Sequence, residues 1–363
     1  MEENILEQHT SKKSFGFIDS IRGIAMFGIV IEHSSVFWLL NYDNYSDKLI
    51  RAGYMGFAKF ATIAFFIISG FLINHKFTEY TPMQYIKNRF KNTIGPWLFW
   101  IFIYLSFTIG QRIFMFLKTG NEKHLPADWH DATVGMFFRV IFHSNYWFIL
   151  NFLICIAILL IFKKQIYKLG FGLILCLFSL FYSVNIYFSW VPVEHTTALF
   201  GFVFYLWLGI FLNKHFDRVK FILSKISLGL LIGINLLLFG FSTLESVHLM
   251  NIGLADPFNT LRITNIIYSL GVFALLLKLG DMPRVKQALD PRHTTYGIYL
   301  IHLIIVDHIL IEILRPLKLN VETMSAINVA GYSALRFVIA YGITFLLVKL
   351  ITKTKFKWAI GSR

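Results

Sequence analysis

The chain has 363 residues, of which 56% are hydrophobic and 15% are charged, with a net charge of +14 at pH 7. A soluble domain carries about a quarter charged residues, so this composition excludes an ordinary soluble protein and indicates a helical integral membrane protein. The basic residues lie between apolar segments and not on one basic and aromatic face. This argues against nucleic-acid binding and favours the lipid bilayer, with its anionic headgroups, or an anionic cofactor as partners.

Ten apolar segments are long enough to cross a bilayer, which predicts an all-α polytopic membrane protein in one domain over residues 1–363. The predicted spans are 17–38, 54–74, 96–117, 147–162, 169–190, 197–213, 226–244, 262–280, 294–314 and 327–350. They leave a polar tail at 1–16, a long outer loop at 118–146 and a second tail at 353–363. An even number of spans puts both termini on one side, and the distribution of Lys and Arg predicts that this side is the cytoplasm.

The first predicted span, FIDSIRGIAMFGIVIEH, carries Arg22 and His33 with ten residues between them. Eleven residues make close to three helical turns, so both side chains project from nearly the same face, about 16 Å apart. Such groups are costly inside a membrane, and we interpret the pair as a functional site. The alternative is a snorkelling arginine and a histidine that bonds a neighbouring helix.

Two acidic residues in the same span are candidate supporting residues. Asp19 precedes Arg22 by three residues, which predicts an ion pair near the membrane surface. Glu32 is turned about 100° from His33, so it need not share the same environment. Because histidine changes its charge near neutral pH, His33 is the candidate general base.

The second span contains the small pair Ser69-Gly70, which permits close approach between helices. Packing is the favoured interpretation, and a substrate-binding or nucleophilic serine is the alternative. The next segment, 82–95, predicts a short basic helix on the cytoplasmic surface. Its candidate phosphate ligands are Lys87, Arg89 and Lys91.

The second half of the outer loop, TVGMFFRVIFH, is apolar enough to lie in the membrane interface or re-enter the bundle. Trp129 and Trp147 are typical of an interface belt, although aromatic rings also suit sugar binding. Several titratable residues crowd the loop without compact metal-ligand spacing, so no metal site is expected: His124, Asp128, His130, Asp131 and His143.

The ninth span, HTTYGIYLIHLIIVDH, places Tyr296, Tyr299 and His302 at spacings of three, on one face of a helix. Tyr299 and His302 are therefore candidates to orient a base or an acceptor hydroxyl. His302 and Asp307 also form an H-x4-D string. On a continuous α-helix the two residues diverge by about 140°, so we do not treat the string as a catalytic motif.

Taken in order, these segments resemble the acyltransferase-3 family of bacterial membrane proteins. FIDSIRGIAMFGIVIEH matches the arginine–histidine spacing that is the family's hallmark. FFIISGFLI, YIKNRFKNTIGPWLFW, NYWFIL and YGIYLIH are similar to its later motifs. The basic segment departs from the family pattern, because lysines and asparagines replace most of a run of arginines.

The resemblance implies a bacterial inner-membrane O-acyltransferase. Such an enzyme moves an acetyl or other short acyl group from acyl-CoA, usually acetyl-CoA, to a hydroxyl of a surface glycan, an exopolysaccharide or a lipid-linked precursor. Polysaccharide-synthesis machinery is then an expected partner.

The resemblance also implies residue roles. Arg22 with the basic segment would hold the donor phosphates, and His33 would deprotonate the acceptor. Tyr299, and after it Ser69, are candidates to stabilise the oxyanion. Two alternatives stay open: a transporter or flippase of a lipid-linked glycan that uses the His/Arg pair as a proton relay or counter-charge, and a non-catalytic scaffold.

Overall fold

The structure, a computed structural model, describes residues 15–79, 82–125, 128–194 and 198–361. The chain is 83% helical, and the described ranges contain no strand. The prediction of an all-α polytopic membrane protein is therefore confirmed.

Sixteen α-helices form the described chain, joined by short 3-10 and π-helical turns. They are α1 (Gly16–Ser34), α2 (Tyr45–Phe57), α3 (Phe60–Glu79), α4 (Pro82–Arg89), α5 (Gly95–Thr119), α6 (Trp129–His143), α7 (Trp147–Ile161), α8 (Leu169–Phe188), α9 (Leu199–Lys214), α10 (Phe216–Lys225), α11 (Leu228–Asn251), α12 (Ile263–Leu279), α13 (Pro283–Leu289), α14 (Pro291–Ile304), α15 (Leu310–Leu314) and α16 (Ala326–Thr352).

Each of the ten predicted spans falls on a helix, but fewer helices qualify as spans by length and apolar composition. Six qualify in the described part of the chain, and up to nine if each of three bent helix pairs is one span. The bends lie between α6 and α7, between α9 and α10, and between α12 and α13, at 64°, 87° and 104°. The first predicted span, now α1, is not among the nine, and it carries three charged residues, Asp19, Arg22 and Glu32.

Helix α1 lies at the centre of the bundle, in contact with α3, α12, α13, α14 and α16. Its apolar residues Ile21, Ala25 and Val30 are fully buried. A helix that protein surrounds can carry charged groups that lipid would not tolerate, because neighbouring helices supply their partners. This central position explains how α1 combines an apolar core face with charged residues.

Helices α3 and α9 cross with their backbones in contact. A Cβ atom on Gly70 would lie 1.9 Å from the carbonyl oxygen of Leu206, and one on Gly209 would lie 2.0 Å from that of Ile67. Only glycine fits at such distances. The close approach expected at Ser69-Gly70 is therefore present, and it anchors the half of the bundle that carries α3 to the half that carries α9.

Two features shape the end of the bundle near His33. A π-helical turn, Ile305–Ile309, joins α14 to α15. A small second core, which includes Phe37, Ala52 and Val329, packs around the end of α1.

The segment 118–146 was expected to form a loop, but it contains α6. This helix includes the apolar sequence TVGMFFRVIFH, for which an interfacial or re-entrant segment was predicted.

Candidate functional site

His33 and His302 meet between α1 and α14, although 269 residues separate them in sequence. The Nδ1 atom of His33 lies 2.8 Å from the Nε2 atom of His302, and the two rings stack with centroids 5.1 Å apart. His302 is fully buried, whereas His33 keeps partial exposure. The pair therefore has one buried member and one member that faces accessible space.

The hydrogen bonds of this pair fix which nitrogen carries each proton. The Nδ1 atom of His302 lies 2.9 Å from the carbonyl oxygen of Ile298, which only accepts, so this nitrogen carries the proton. In neutral His302 the Nε2 atom is then an acceptor, and His33 donates to it from Nδ1. The Nε2 atom of neutral His33 therefore carries the lone pair, as a general base requires.

Asn145, which the sequence analysis did not single out, completes this group. Its Nδ2 atom lies 3.2 Å from the Nε2 atom of His302, and its buried Oδ1 atom has no hydrogen-bond partner in the described structure. The Tyr299 hydroxyl donates to the Asn145 carbonyl at 2.6 Å, and the Tyr146 hydroxyl donates to the Leu300 carbonyl at 2.7 Å. These bonds hold the start of α7 against α14. The hydroxyl proton of Tyr299 is used in the bond to the Asn145 carbonyl.

A cationic cluster lies at the other end of α1. Arg22 donates to Asp19 at 2.9 Å, which is the ion pair that their spacing predicts. Arg89 and Arg292 lie close enough to repel the Arg22 guanidinium. The Tyr296 hydroxyl donates to the Thr93 carbonyl at 2.6 Å, which holds the basic segment against α14.

The three arginines of this cluster come from three separate parts of the chain. Arg292 did not stand out in the sequence, because it is one basic residue among many at the ends of spans. Lys87 is exposed. The Lys91 side chain lies outside the described residues. The cluster is therefore centred on Arg22, Arg89 and Arg292, and Asp19 forms an ion pair with Arg22.

The remaining candidate residues lie in different surroundings. Glu32 forms an ion pair with Lys59, whose side chain is only 5% exposed, so a neutralised pair flanks His33. Ser69 lies on α3 beside the crossing with α9. Trp147 is buried against Phe148 and Phe202, and Trp129 is 41% exposed at the start of α6. Their roles in substrate binding stay predictions.

The titratable residues of segment 118–146 are not gathered around one point. Within the described side chains, no group of three His, Cys, Asp or Glu residues is arranged to hold a metal ion. The side chain of Asp131 lies outside the described residues.

Comparison with known proteins gives one match that covers almost the whole chain. The sequence model of a family described as an acyltransferase domain matches residues 15–353. No curated protein and no solved structure matches the chain. The matched range contains both ends of α1, the basic segment and α14. The chain therefore belongs to the acyltransferase-3 family and is a membrane acyltransferase.

Proposed function

We propose that the protein is an O-acyltransferase that moves an acetyl or other short acyl group from acyl-CoA to a hydroxyl of a cell-surface glycan or its lipid-linked precursor. The observation that carries the proposal is the arrangement along α1. A histidine pair with a defined lone pair lies at one end, and a cluster of three arginines lies at the other.

The arginine cluster suits the phosphates of CoA. Guanidinium groups bind phosphate through paired, charge-assisted hydrogen bonds, and three of them lie near one another here, with Asp19 bonded to Arg22. The cluster and His33 are separated by about 16 Å along the helix, a distance suited to the extended arm between the phosphates of CoA and its thioester. The donor would therefore lie along α1 with its phosphates at the end that we expect to face the cytoplasm.

The histidine pair suits proton transfer from the acceptor. The Nε2 atom of His33 takes the hydroxyl proton while the hydroxyl oxygen forms a bond to the thioester carbonyl carbon. The carbon–sulfur bond then breaks, and the departing CoA sulfur receives the proton from His33. One alcohol and one acyl-CoA become one ester and one free CoA thiol, and His33 ends in its starting state.

His302 supports this step without touching the reacting atoms. It accepts the Nδ1 proton of His33, which keeps the lone pair on Nε2 and fixes the orientation of the ring. The Ile298 carbonyl in turn fixes the tautomer of His302. His302 is thus a positioning residue in this proposal.

The test uses the full chain in lipid nanodiscs with radiolabelled acetyl-CoA and the surface glycans of the host as acceptor. We expect label in ester linkage to the glycan and stoichiometric release of CoA. Exchange of His33 for alanine should lower the rate by about 10²- to 10⁴-fold, which is the usual contribution of a general base. The exposed His248 provides the matched control, and His248→Ala should keep full activity.

A second series tests the donor site. Arg89→Gln and Arg292→Gln should raise the KM for acetyl-CoA, whereas Arg218→Gln, at an exposed position on α10, should not. Full transfer by a folded His33→Ala variant would overturn the assignment of the base. An unchanged KM for acetyl-CoA in both arginine variants would overturn the assignment of the donor site.

A further inference from the structure

Arg336, on α16, is a buried cation with unused hydrogen-bond donors. Its side chain lies beside the end of α1, where its Nε atom donates to the Ser34 carbonyl at 2.9 Å, and the residue is 8% exposed. A guanidinium has five N–H donors. In the described structure neither terminal nitrogen of Arg336 has a hydrogen-bond partner, and neither is sealed from solvent. Open donors at the end of a buried side chain are available to bind a ligand.

A carboxylate and a phenol lie near Arg336, where α16 packs against the π-helical turn. Asp307, in the π-helical turn, keeps partial exposure and accepts a hydrogen bond at 2.9 Å from the Tyr104 hydroxyl. The Arg336 guanidinium attracts the Asp307 carboxylate, yet the two do not form a direct ion pair. The guanidinium and the carboxylate are therefore near enough to interact without a direct bond, and a group that binds both can lie between them.

Asp307 lies in the π-helical turn. On a continuous α-helix His302 and Asp307 would diverge by about 140°. The wider turn Ile305–Ile309, which begins three residues after His302, changes the rotation per residue. Asp307 and His308 consequently both face α5, and His308 bonds Gln111 there at 2.8 Å.

The two charged groups indicate the chemistry of an occupant that binds both. Arg336 offers only donors and the Asp307 carboxylate offers only acceptors, so the occupant must both accept and donate. Hydroxyl groups do both. A carboxylate or phosphate would be attracted by Arg336 but repelled by Asp307, which argues against an acidic group here. The Tyr332 ring, 5.9 Å below the Arg336 guanidinium, adds an aromatic wall of the kind that suits a sugar ring.

We propose that Arg336 and Asp307 form an acceptor subsite for an uncharged sugar ring, and that they bind two neighbouring hydroxyls of that ring. The subsite lies at the end of α1 that carries His33, because Arg336 bonds the residue that follows His33. This inference rests on the proposed function and extends it. It assigns an uncharged sugar, as a free or lipid-linked glycan, to the position beside the base.

The test compares neutral and acidic methyl glycosides as acceptors for the full chain in nanodiscs with acetyl-CoA. The neutral probes are methyl glucoside, galactoside, mannoside and rhamnoside, and the acidic probe is methyl glucuronoside. We expect ester formation with at least one neutral glycoside and little with the glucuronoside. A parallel arm with the lipid fraction of the host separates a lipid-linked acceptor from a soluble one.

Two variants examine the residues themselves. Arg336→Lys keeps the charge but loses the planar pair of donors, and Asp307→Asn keeps an acceptor for Tyr104 but loses the negative charge. Each should raise the KM for the glycoside by about tenfold or more, the effect of losing a hydrogen bond to a charged group, while the KM for acetyl-CoA is unaffected. Glu312→Gln, at an exposed carboxylate on α15, is the control and should change neither value.

Several outcomes would overturn the inference and leave the proposed function standing. These are a preference for the glucuronoside, absence of transfer to any neutral glycoside while the host glycan is acetylated, or an unchanged glycoside KM in Asp307→Asn. Loss of folding in Arg336→Lys, seen by gel filtration, would leave Asp307→Asn to decide. Failure of the proposed function is distinct, since the wild-type protein would then transfer no acetyl group to any acceptor.

Discussion

His302 illustrates how one buried residue can determine the chemistry of its neighbour. Its Nδ1 proton is committed to the Ile298 carbonyl, so its Nε2 atom is available only as an acceptor while the ring is neutral. His33 must then donate from Nδ1 and expose its lone pair at Nε2. The tautomer of one buried ring thus determines which nitrogen of the other ring can take a proton.

This arrangement predicts different consequences for two substitutions of His302. Gln places a carbonyl oxygen where Nε2 lies and can still accept from His33, whereas Leu cannot. We expect His302→Leu to lower the rate of transfer by about 10- to 100-fold, because the base loses its orientation, and His302→Gln to recover much of that loss. The measurement is the pH profile of the rate, which should shift in His302→Leu and return toward the wild type in His302→Gln. Equal loss in both variants would indicate a purely structural role.

Asp290 provides a pH-dependent contribution to stability outside the spans. Burial alone would raise the pKa of its carboxyl group, but hydrogen bonds donated by Lys349 and His293 outweigh burial and hold the pKa below its ordinary value. A lowered pKa in the folded state stabilises the protein above the pKa of the unfolded state, about 3.9, and this stabilisation is lost as pH falls through the folded value. The side chain is 34% exposed, so solvent screening limits the contribution to about 1 kcal/mol or less.

We therefore expect Asp290→Asn to unfold at a lower temperature than the wild type at pH 7, with the difference shrinking below about pH 4. Asparagine tolerates the left-handed backbone at this position, where φ is 44°, so the substitution tests the charge without adding strain. Thermal unfolding in detergent at a series of pH values measures the effect. A difference that stays constant down to pH 3 would show that the carboxylate charge is not responsible.

At the scale of helices, the crossing of α3 and α9 is the tightest contact in the bundle that glycines make possible. The backbone of each helix occupies the space where a side chain of the other would begin. The sequence signals this through Ser69-Gly70, since a small pair inside an apolar span permits close packing. The sequence does not indicate that α9 is the partner helix, because nothing in the apolar residues around Gly209 distinguishes this segment from the other spans.

Alanine at Gly70 should therefore destabilise the fold. The new Cβ would overlap the Leu206 carbonyl oxygen, so the helices must separate, at a cost of about 1–3 kcal/mol. Gly233→Ala is the matched control, because a Cβ there meets no atom within 4 Å. Thermal stability by fluorescence-detected gel filtration compares them. Equal stability of the two variants would contradict the crossing.

At the scale of the whole molecule, the bundle has two chemically different ends. The end that carries Arg22 is cationic, whereas the end that carries His33 combines Arg336 with Asp307 and paired Glu32 and Lys59. The distribution of Lys and Arg predicts that the first end is cytoplasmic. An acyl donor from the cytoplasm and a glycan acceptor from outside would then approach the same histidine from opposite directions.

Cysteine labelling of intact and lysed cells tests this orientation. In a background with Cys155→Ser and Cys176→Ser, we expect Ser224→Cys to react with an impermeant maleimide only after lysis. Asn121→Cys, in the segment between α5 and α6, should react in intact cells. Both positions are exposed in the structure. The reverse pattern would invert the topology and, with it, the proposed approach of donor and acceptor.

The spans and the two residues of α1 could be predicted because both depend on local sequence. Hydropathy marks a span, and a spacing of eleven residues places two side chains on one face. The bends between consecutive helices were missed, because a sharp turn between two apolar helices leaves no distinct signal in hydropathy. The charged residues of α1 are visible in the sequence, but a helix within the membrane can carry them only because other helices of the protein surround it.

For the candidate site, the sequence predicts which residues share a face of one helix, but not which residues of different helices are in contact. The spacing of Tyr299 and His302 predicts a face of α14, but contact with His33 depends on how α1 and α14 pack. Asn145 and Arg336 are isolated polar residues in apolar surroundings, and no neighbour in sequence indicates what they face. The π-helical turn that carries Asp307 was not predicted, because the sequence Ile305–Ile309 gives no signal of it.

The π-helical turn also makes the orientation of Asp307 independent of the orientation of His302, whereas a single straight helix would couple the two. His302 lies before the turn and Asp307 lies within it, so the rotation of one about the helix axis does not dictate the rotation of the other. Substitutions in Ile305–Ile309 can therefore re-aim the residues that we propose to bind the acceptor while the histidine pair keeps its alignment. In this proposal, small changes beyond residue 304 would alter the acceptor and leave the proton transfer unchanged.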